Sequence, residues 1–374
     1  DGVVGFRMVA GGGLGSAPRI AQLLREFTPM EELIPSIEAV IKVFDTLGNR
    51  KNRNKARMKF VIDKLGFEEF KRRWEAAYVA MGHALPKNGP LTLLSYQDEP
   101  KLLMPTRNGS AHSAGNGNGN GVHRNGHETP FEMWKRTNVV KQRQDGYVTA
   151  AIKLFMGDIT SEQMLFVADL AERYSNGNLR TTINQNVVIR WIPTDMISNL
   201  YEDLASRGLA DPGAELVEDI IACPGTDTCG LGITSSKGLA RALAEVFPAG
   251  RVPDDLAGVD VKISGCHNSC AQHHISTIGL HGVGKRLGEH VAPHYELHLG
   301  GSVNGTAKIG QMTVKLPAKA VPAAISHLID VYRRDCQDNE NFPTFIVRIG
   351  KSKLKDELIP YTIVPSYEAD PTFY

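Results

Sequence analysis

Two short stretches decide how this chain is read: Cys223-Pro-Gly-Thr-Asp-Thr-Cys229-Gly230 and Ser264-Gly-Cys266-His-Asn-Ser-Cys270-Ala271. Each holds a close pair of cysteines, spaced x5 and x3, among glycine, proline and small polar residues, and 36 residues separate the pairs. Two such turns brought together present four thiolates, one for each iron of a [4Fe–4S] cluster. A four-cysteine zinc site uses pairs two to four residues apart, which the x5 pair does not match. A disulfide framework belongs to small secreted chains rich in cysteine, whereas this chain has 374 residues and five cysteines. Four unrelated buried thiols would not collect within turn residues. The fifth, Cys336, lies in the polar stretch Arg-Arg-Asp-Cys-Gln-Asp and reads as incidental.

Outward from the cysteines, composition narrows the classes. The length allows two or three domains. Lys and Arg number 42 against 41 Asp and Glu, a net charge of +1, so no global field points to nucleic acid or a membrane surface. No apolar run reaches the roughly 18 residues of a membrane span. Few cysteines, grouped as metal ligands, suit a reducing compartment and predict the cytoplasm.

The opening segment returns near the end. Phe6, Met8, Ala10, Gly11 and Gly12 match Tyr295, Leu297, Leu299, Gly300 and Gly301, an alternating strand running into a glycine turn. Ile37, Val40, Ile41, Val43 and Phe44 then match Ile325, Leu328, Ile329, Val331 and Tyr332 on a helix. Leu65-Gly66 with Phe70 echoes Ile349-Gly350 with Leu354. Three collinear matches predict a duplication. On this reading residues 1–82 are the tail of a first copy without its own cysteines, and the chain, which begins at Asp1 in front of a strand, is an incomplete one. Residues 83–130 are expected to be a linker. Its Gly/Asn-rich insert, 107–127, cannot bury enough apolar surface to offset chain entropy and is expected to be disordered; its histidines, His112, His123 and His127, are not expected to bind metal.

Residues 131–212 read as β–α–β–β–α: strands at 147–155, 179–183 and 187–192, a helix capped by Thr160 with Gln163, and a helix capped at Thr194-Asp195. That order resembles half of a ferredoxin-like sandwich. Residues 213–374 follow as the cluster-bearing domain, with a helix at 235–247, a strand at 259–264 delivering the second cysteine pair, and a strand at 275–280 leaving it.

With these residues in view, the chain resembles the sirohaem-dependent nitrite/sulfite reductases. The resemblance rests on the cysteine spacing, on Ile263-Ser-Gly-Cys-His-Asn-Ser-Cys270, on Leu299-Gly300-Gly301, and on Leu179-Arg-Thr-Thr-Ile-Asn-Gln-Asn186. It extends to Gly11-Gly-Gly-Leu-Gly15 and to Gly48-Asn49-Arg50 through Lys59, and so covers nearly the whole chain outside 107–127. It implies an α+β fold, a ferredoxin-like half-domain beside a [4Fe–4S]/sirohaem domain with a pseudo-twofold internal repeat. It implies Cys223, Cys229, Cys266 and Cys270 as cluster ligands, with Cys270 bridging to the sirohaem iron. Arg50, Arg53, Arg57 and Lys59 would pair with the carboxylates of the sirohaem. Thr181, Asn184, Gln185 and Asn186 would hydrogen-bond the macrocycle, and Asn268 would shape the loop beside the cluster. His273 and His274 read as packing or surface groups. The implied activity is assimilatory six-electron reduction of sulfite to sulfide or nitrite to ammonia, with a ferredoxin or flavoprotein as donor. The basic residues that would bind the oxyanion are expected before Asp1, so no catalytic acid or base is assigned. The alternative reading is a non-catalytic iron–sulfur electron-transfer module.

Overall fold

The structure is a computed structural model that describes residues 4–81, 128–247, 254–303 and 305–374. The expected disordered insert at 107–127, with its three histidines, and most of the expected linker lie outside the described residues. The described residues form two compact units, one of 4–81 with 307–309 and one of those within 128–306 with 310–374.

In the first unit, β1 (Gly5–Ala10) and β2 (Gln22–Pro29) pair antiparallel. A 3-10 turn over Met30–Glu32 leads into α1 (Leu33–Leu47), followed by α2 (Met58–Leu65) and α3 (Phe67–Ala80). Leu24, Ala39, Val43, Ile62, Phe70 and Trp74 close one apolar core. The Trp74 indole N–H is satisfied by the Ser36 carbonyl at 3.0 Å.

The second unit starts with the half-domain. Here α4 (Pro130–Asn138), β3 (Val139–Lys141), β4 (Tyr147–Ile152), α5 (Ser161–Ser175), β5 (Leu179–Thr181), β6 (Val187–Pro193) and α6 (Ile197–Ala205) follow in order. The strands form an antiparallel sheet in the order β3-β4-β6-β5. Alternate residues Val148, Ala150 and Ile152 of β4 point into a core shared with Trp134, Leu170, Ile189 and Leu200. The expected capping box forms: the Thr160 hydroxyl accepts from the Gln163 N–H, and the Gln163 side chain accepts from the Thr160 N–H. The expected cap at Thr194-Asp195 does not; the chain enters α6 through a 3-10 turn, Thr194–Met196, with no side-chain cap. Strand β3 has three residues, too few to show an alternation in sequence.

The rest of the unit is a mixed sheet in the order β11-β10-β9-β8-β7. Its elements are β7 (Ile221–Ala222), α7 (Ser236–Ala244), β8 (Val261–Ser264), β9 (Ile278–Leu287), β10 (His290–Leu299) and β11 (Gln311–Pro317), then α8 (Val321–Asp335) and α9 (Phe342–Leu358). The β7/β8 and β8/β9 pairs are parallel and the others antiparallel. A parallel pair cannot be joined by a tight hairpin. The crossovers after β7 and β8 are therefore long, and each carries one cysteine pair. No helix among the described residues is long and apolar enough to cross a membrane.

The internal repeat is present in three dimensions. Strands β10 and β11, the 3-10 turn Ala318–Ala320 and the 15-residue α8 reproduce β1, β2, Met30–Glu32 and the 15-residue α1. The matched glycines share a backbone state as well. Gly66, between α2 and α3, has φ 83° and ψ 152°; Gly350, at the kink in α9, has φ 79° and ψ 159°. That region is essentially closed to residues with a Cβ. Gly350→Ala is therefore expected to destabilise the fold by roughly 1–3 kcal/mol, read as a lower urea midpoint; an unchanged midpoint would show that the kink is not required.

Candidate metal centre

The four cysteines come together because of strand register. Ala222 of β7 pairs with Ile263 of β8, and the Cys223 N–H continues the ladder to the Ile263 carbonyl at 3.1 Å. Cys223 follows β7 by one residue and Cys266 follows β8 by two, so both leave the same edge of the sheet. The first turn then folds back on itself: the Cys229 N–H reaches the Gly225 carbonyl at 3.0 Å, and the Gly232 N–H reaches the Cys229 carbonyl at 2.9 Å.

The two turns are locked backbone to backbone. The Gly265 carbonyl accepts from both Ile233 N–H (2.9 Å) and Thr234 N–H (3.1 Å). A Cβ on Gly265 would lie 2.6 Å from Gly225 Cα and 2.9 Å from the Thr234 carbonyl oxygen. Glycine at 265 is what lets the cysteine turns approach. In return the Gly265 N–H donates to Cys223 Sγ at 3.1 Å, and Ser236, the first residue of α7, sits 3.4 Å from the same sulfur.

Cys266 is buried; Cys223 is half-buried; Cys229 and Cys270 are exposed. Partial burial, followed by the neighbouring thiols of Cys223, Cys266 and Cys229, pushes the Cys270 thiol up from its ordinary value. All four thiols are thus near enough for Cys270 to be influenced by the other three. Bound metal reverses such a shift, since a coordinating thiol is deprotonated outright. The donor set, four thiols at the mouths of two glycine-locked turns, fits a [4Fe–4S] group. His267 and Asn268 are exposed on the turn between the second pair, and Ser269 carries it through φ 63°.

The half-domain residues divide. The Gln185 amide brackets Ala222, donating to its carbonyl at 3.0 Å and accepting its N–H at 3.1 Å, one residue before Cys223. Asn186 is 1% exposed; it accepts from the Leu154 N–H at 2.9 Å and donates to the Asp219 carboxylate at 2.5 Å. Beside it Lys153 and Glu218 form a buried pair at 3.3 Å. Both amides are thus engaged in holding the segment that leads into β7, a role the sequence did not signal. Thr181 is exposed and Asn184 half-buried. Thr181, Gln185 and Asn186 line a cavity of about 420 Å³ together with Ala222 and Pro224, which flank Cys223.

The basic run lies in the first unit. Lys59, 3% exposed, donates to the Leu14 and Ala17 carbonyls at 2.8 and 2.7 Å. Arg57 also donates to the Leu14 carbonyl, at 2.9 Å. These two side chains hold the glycine-rich loop. Burial, and then the cations Arg57 and Arg19, push the Lys59 ammonium down from its usual value. Arg50 pairs with Asp45, and Arg50 and Arg53 are both exposed. Behind the second cysteine turn, His273 and His274, read from sequence as packing or surface groups, are buried together with His281 and His298, and sequence reasoning missed this grouping. Only His273 and His274 are adjacent in sequence; the other two arrive on separate strands.

Two substitutions test this construction. Gly265→Ala is expected to lower iron and acid-labile sulfide per chain severely while far-UV circular dichroism is retained; full cluster content would show that the turns do not need the close approach. Asn186→Ala strips partners from Asp219 and the Leu154 N–H and is expected to cost about 1–3 kcal/mol, read from the urea midpoint.

Comparison with known proteins agrees with this geometry. The family model described as "Nitrite and sulphite reductase 4Fe-4S domain" matches residues 1–79 and 213–363. The one described as "Nitrite/Sulfite reductase ferredoxin-like half domain" matches residues 140–207. Curated relatives include an assimilatory ferredoxin-dependent nitrite reductase of Haloferax mediterranei, 26% identical over 96% of this chain and 57% of the relative. A sulfite reductase [NADPH] hemoprotein beta-component of Methylobacterium nodulans is 26% identical over 92% of this chain and 52% of the relative. The chain spans about half the length of the curated relatives it matches. The solved structure of the Mycobacterium tuberculosis NirA protein shares the fold, with a TM-score of 0.67 and 22% identity over 94% of this chain and 58% of that one. Relatives of this kind are oxidoreductases, and the family implies a [4Fe–4S] cluster and a sirohaem. With 1–79 and 213–363 matched on either side of the half-domain, this chain belongs to the nitrite and sulphite reductase family.

Proposed function

We propose that this chain carries the cluster-binding part of an assimilatory reductase that takes nitrite to ammonia or sulfite to sulfide, six electrons in either case. The observation that carries this reading is the convergence of Cys223, Cys229, Cys266 and Cys270 at one sheet edge, inside the matched family domain. When bound, a [4Fe–4S] cluster joined to a sirohaem supplies single electrons to a small oxyanion held at the haem iron.

The chain's own residues set up that chemistry. Cys266 anchors the group in the buried wall, and the Gly265 N–H on Cys223 Sγ withdraws charge from one thiolate, a recognised lever on cluster potential. Cys270, exposed like Cys229, is the thiolate that would be shared with a haem iron on this reading. Thr181 and Asn184 remain as polar groups for a macrocycle, and Asn268 shapes the turn. Arg50 and Arg53 offer exposed guanidinium groups of the kind that pairs with sirohaem carboxylates, while Arg57 and Lys59 position the glycine-rich loop. Electrons come from a ferredoxin or a flavoprotein, the donors named for relatives being ferredoxin and NADPH. A thiolate-held cluster of this kind suits a reducing compartment such as the cytoplasm.

The test is anaerobic visible absorption with iron and labile-sulfide counts, on protein expressed with added sirohaem supply, followed by reduced-viologen assays with nitrite and with sulfite. About four sulfides per chain together with chlorin bands support the proposal, and the ratio of the two rates identifies the substrate. Cluster absorption without chlorin bands, even in the full-length gene product, would favour an electron-transfer module instead. Cys229→Ser is expected to abolish the cluster. Cys270→Ser is expected to disturb both chromophores together; loss of only one argues against a shared thiolate.

A further inference from the structure

We propose that His273, His281 and His298 form a second metal centre, a buried three-imidazole site for a divalent first-row transition cation, zinc(II) by its donor chemistry, behind the turn that carries Cys270. The three residues come from separate elements. His281 lies on β9, His298 on β10, and His273 opens the 3-10 turn His273–Ile275 that follows the second cysteine pair. His281 is paired across the sheet with Glu296, and Glu296 and His298 are two apart on β10, so all three share one face. Gly279, opposite His298, lets the turn rest on that face; a Cβ there would meet the His273 carbonyl oxygen at 1.8 Å.

All three rings are buried, His273 at 0% and His281 and His298 at 6% exposure, and one nitrogen from each lies within 4.8 Å of the others. Each ring also has its outer nitrogen facing a polar group. His273 Nδ1 is 2.9 Å from Ser264 Oγ. His281 Nε2 is 3.5 Å from the Glu296 carboxylate, which Lys315 holds at 2.8 Å. His298 Nδ1 is 3.5 Å from the Gly310 carbonyl. Carboxylate, carbonyl and hydroxyl partners of this kind are the usual outer shell of metal-bound histidine.

The inner nitrogens turn towards one another. His273 Nε2 is buried without a hydrogen-bond partner. His281 Nδ1 and His298 Nε2 face each other at 3.2 Å. One of the two donates to the other if it carries a hydrogen; where the outer nitrogens carry the hydrogens, as in a metal-bound set, two lone pairs meet there and a cation between them would hold both. Two ligands on a tetrahedral zinc with bonds of ~2.0 Å stand about 3.3 Å apart, close to the observed separation. Burial first, and then the neighbouring histidines, push His273 and His298 down, the latter to about 4. His281 is also at about 4, by burial opposed by Glu296. All three are therefore neutral at physiological pH, the form a metal requires. Imidazole donors without thiolate suit zinc, iron(II), cobalt or nickel, and exclude the hard cations. His274 packs on His273 with ring centroids 4.0 Å apart and stays outside the ligand set. A cation here would tie the turn after Cys270 to β9 and β10.

The proposal does not rest on the reductase reading, and one preparation tests both separately. The full chain, purified with its cluster, is treated with a weak chelator, incubated with zinc(II) and freed of excess. Zinc, iron and labile sulfide are then counted independently, and the zinc X-ray absorption edge is recorded. About one zinc per chain, with only nitrogen or oxygen neighbours at ~2.0–2.1 Å, is expected. His281→Gln and His298→Gln are expected to lower zinc retention roughly tenfold or more with iron and sulfide unchanged, while His327→Gln retains it. No retained zinc in the unaltered protein overturns the proposal, as do sulfur neighbours at ~2.3 Å or undiminished zinc in folded variants. Nitrogen-bound zinc without labile sulfide would sink the cluster assignment and leave this one standing.

Discussion

The parallel pairing of β7 with β8 is the constraint on which the candidate metal centre depends. It involves two residues of β7, yet it brings the outgoing ends of both strands to one edge and so delivers Cys223 and Cys266 side by side. Parallel strands require long crossovers, and these supply the turns that carry Cys229 and Cys270. So short a strand is not stable on its own. The buried pair Lys153–Glu218, the Asn186–Asp219 bond and the Gln185 bracket on Ala222 hold it from the half-domain side. Removing one member of such a buried pair costs about 3–5 kcal/mol because the other charge is stranded. The half-domain therefore acts, within this unit, as the support that fixes the first cysteine.

The glycines in the cysteine turns have a packing reason rather than a flexibility reason. Gly265 lies against Gly225 at a distance no side chain permits, and its carbonyl and N–H are both spent on holding the other turn. The site is built mostly from backbone hydrogen bonds. A thiolate cage made this way keeps its shape without large side chains near the sulfurs, and leaves Cys270 open on one side.

The same crossover after β8 serves two purposes. Its first half presents Cys266 and Cys270, and its second half drops His273 onto the sheet face against His281 and His298. Whatever fixes those imidazoles also fixes the turn bearing Cys270. The low basicity of the three rings follows from burial beside one another. A set of neutral imidazoles packed this closely has few ways to satisfy every nitrogen with hydrogen bonds alone.

The sequence by itself singled out the candidate cluster ligands, because x5 and x3 spacings in glycine-rich turns leave few other chemistries for four cysteines. It also pointed to the duplication, through collinear matches that include Gly66 and Gly350, and to the half-domain, where alternation in β4 and β6 and the capped α5 carry strong local patterns. It did not determine β3, too short to alternate, or the uncapped entry to α6. Tertiary structure alone decided which polar residues were already engaged: Gln185 and Asn186 turn to Ala222 and Asp219, and Lys59 to the Leu14 and Ala17 carbonyls. Hydrogen-bond partners such as these lie 32 to 45 residues apart, and no local pattern encodes them. The histidine cluster is the same case. Its members are unremarkable in sequence and meet only because antiparallel register and one glycine bring a strand pair and a turn to a single buried point.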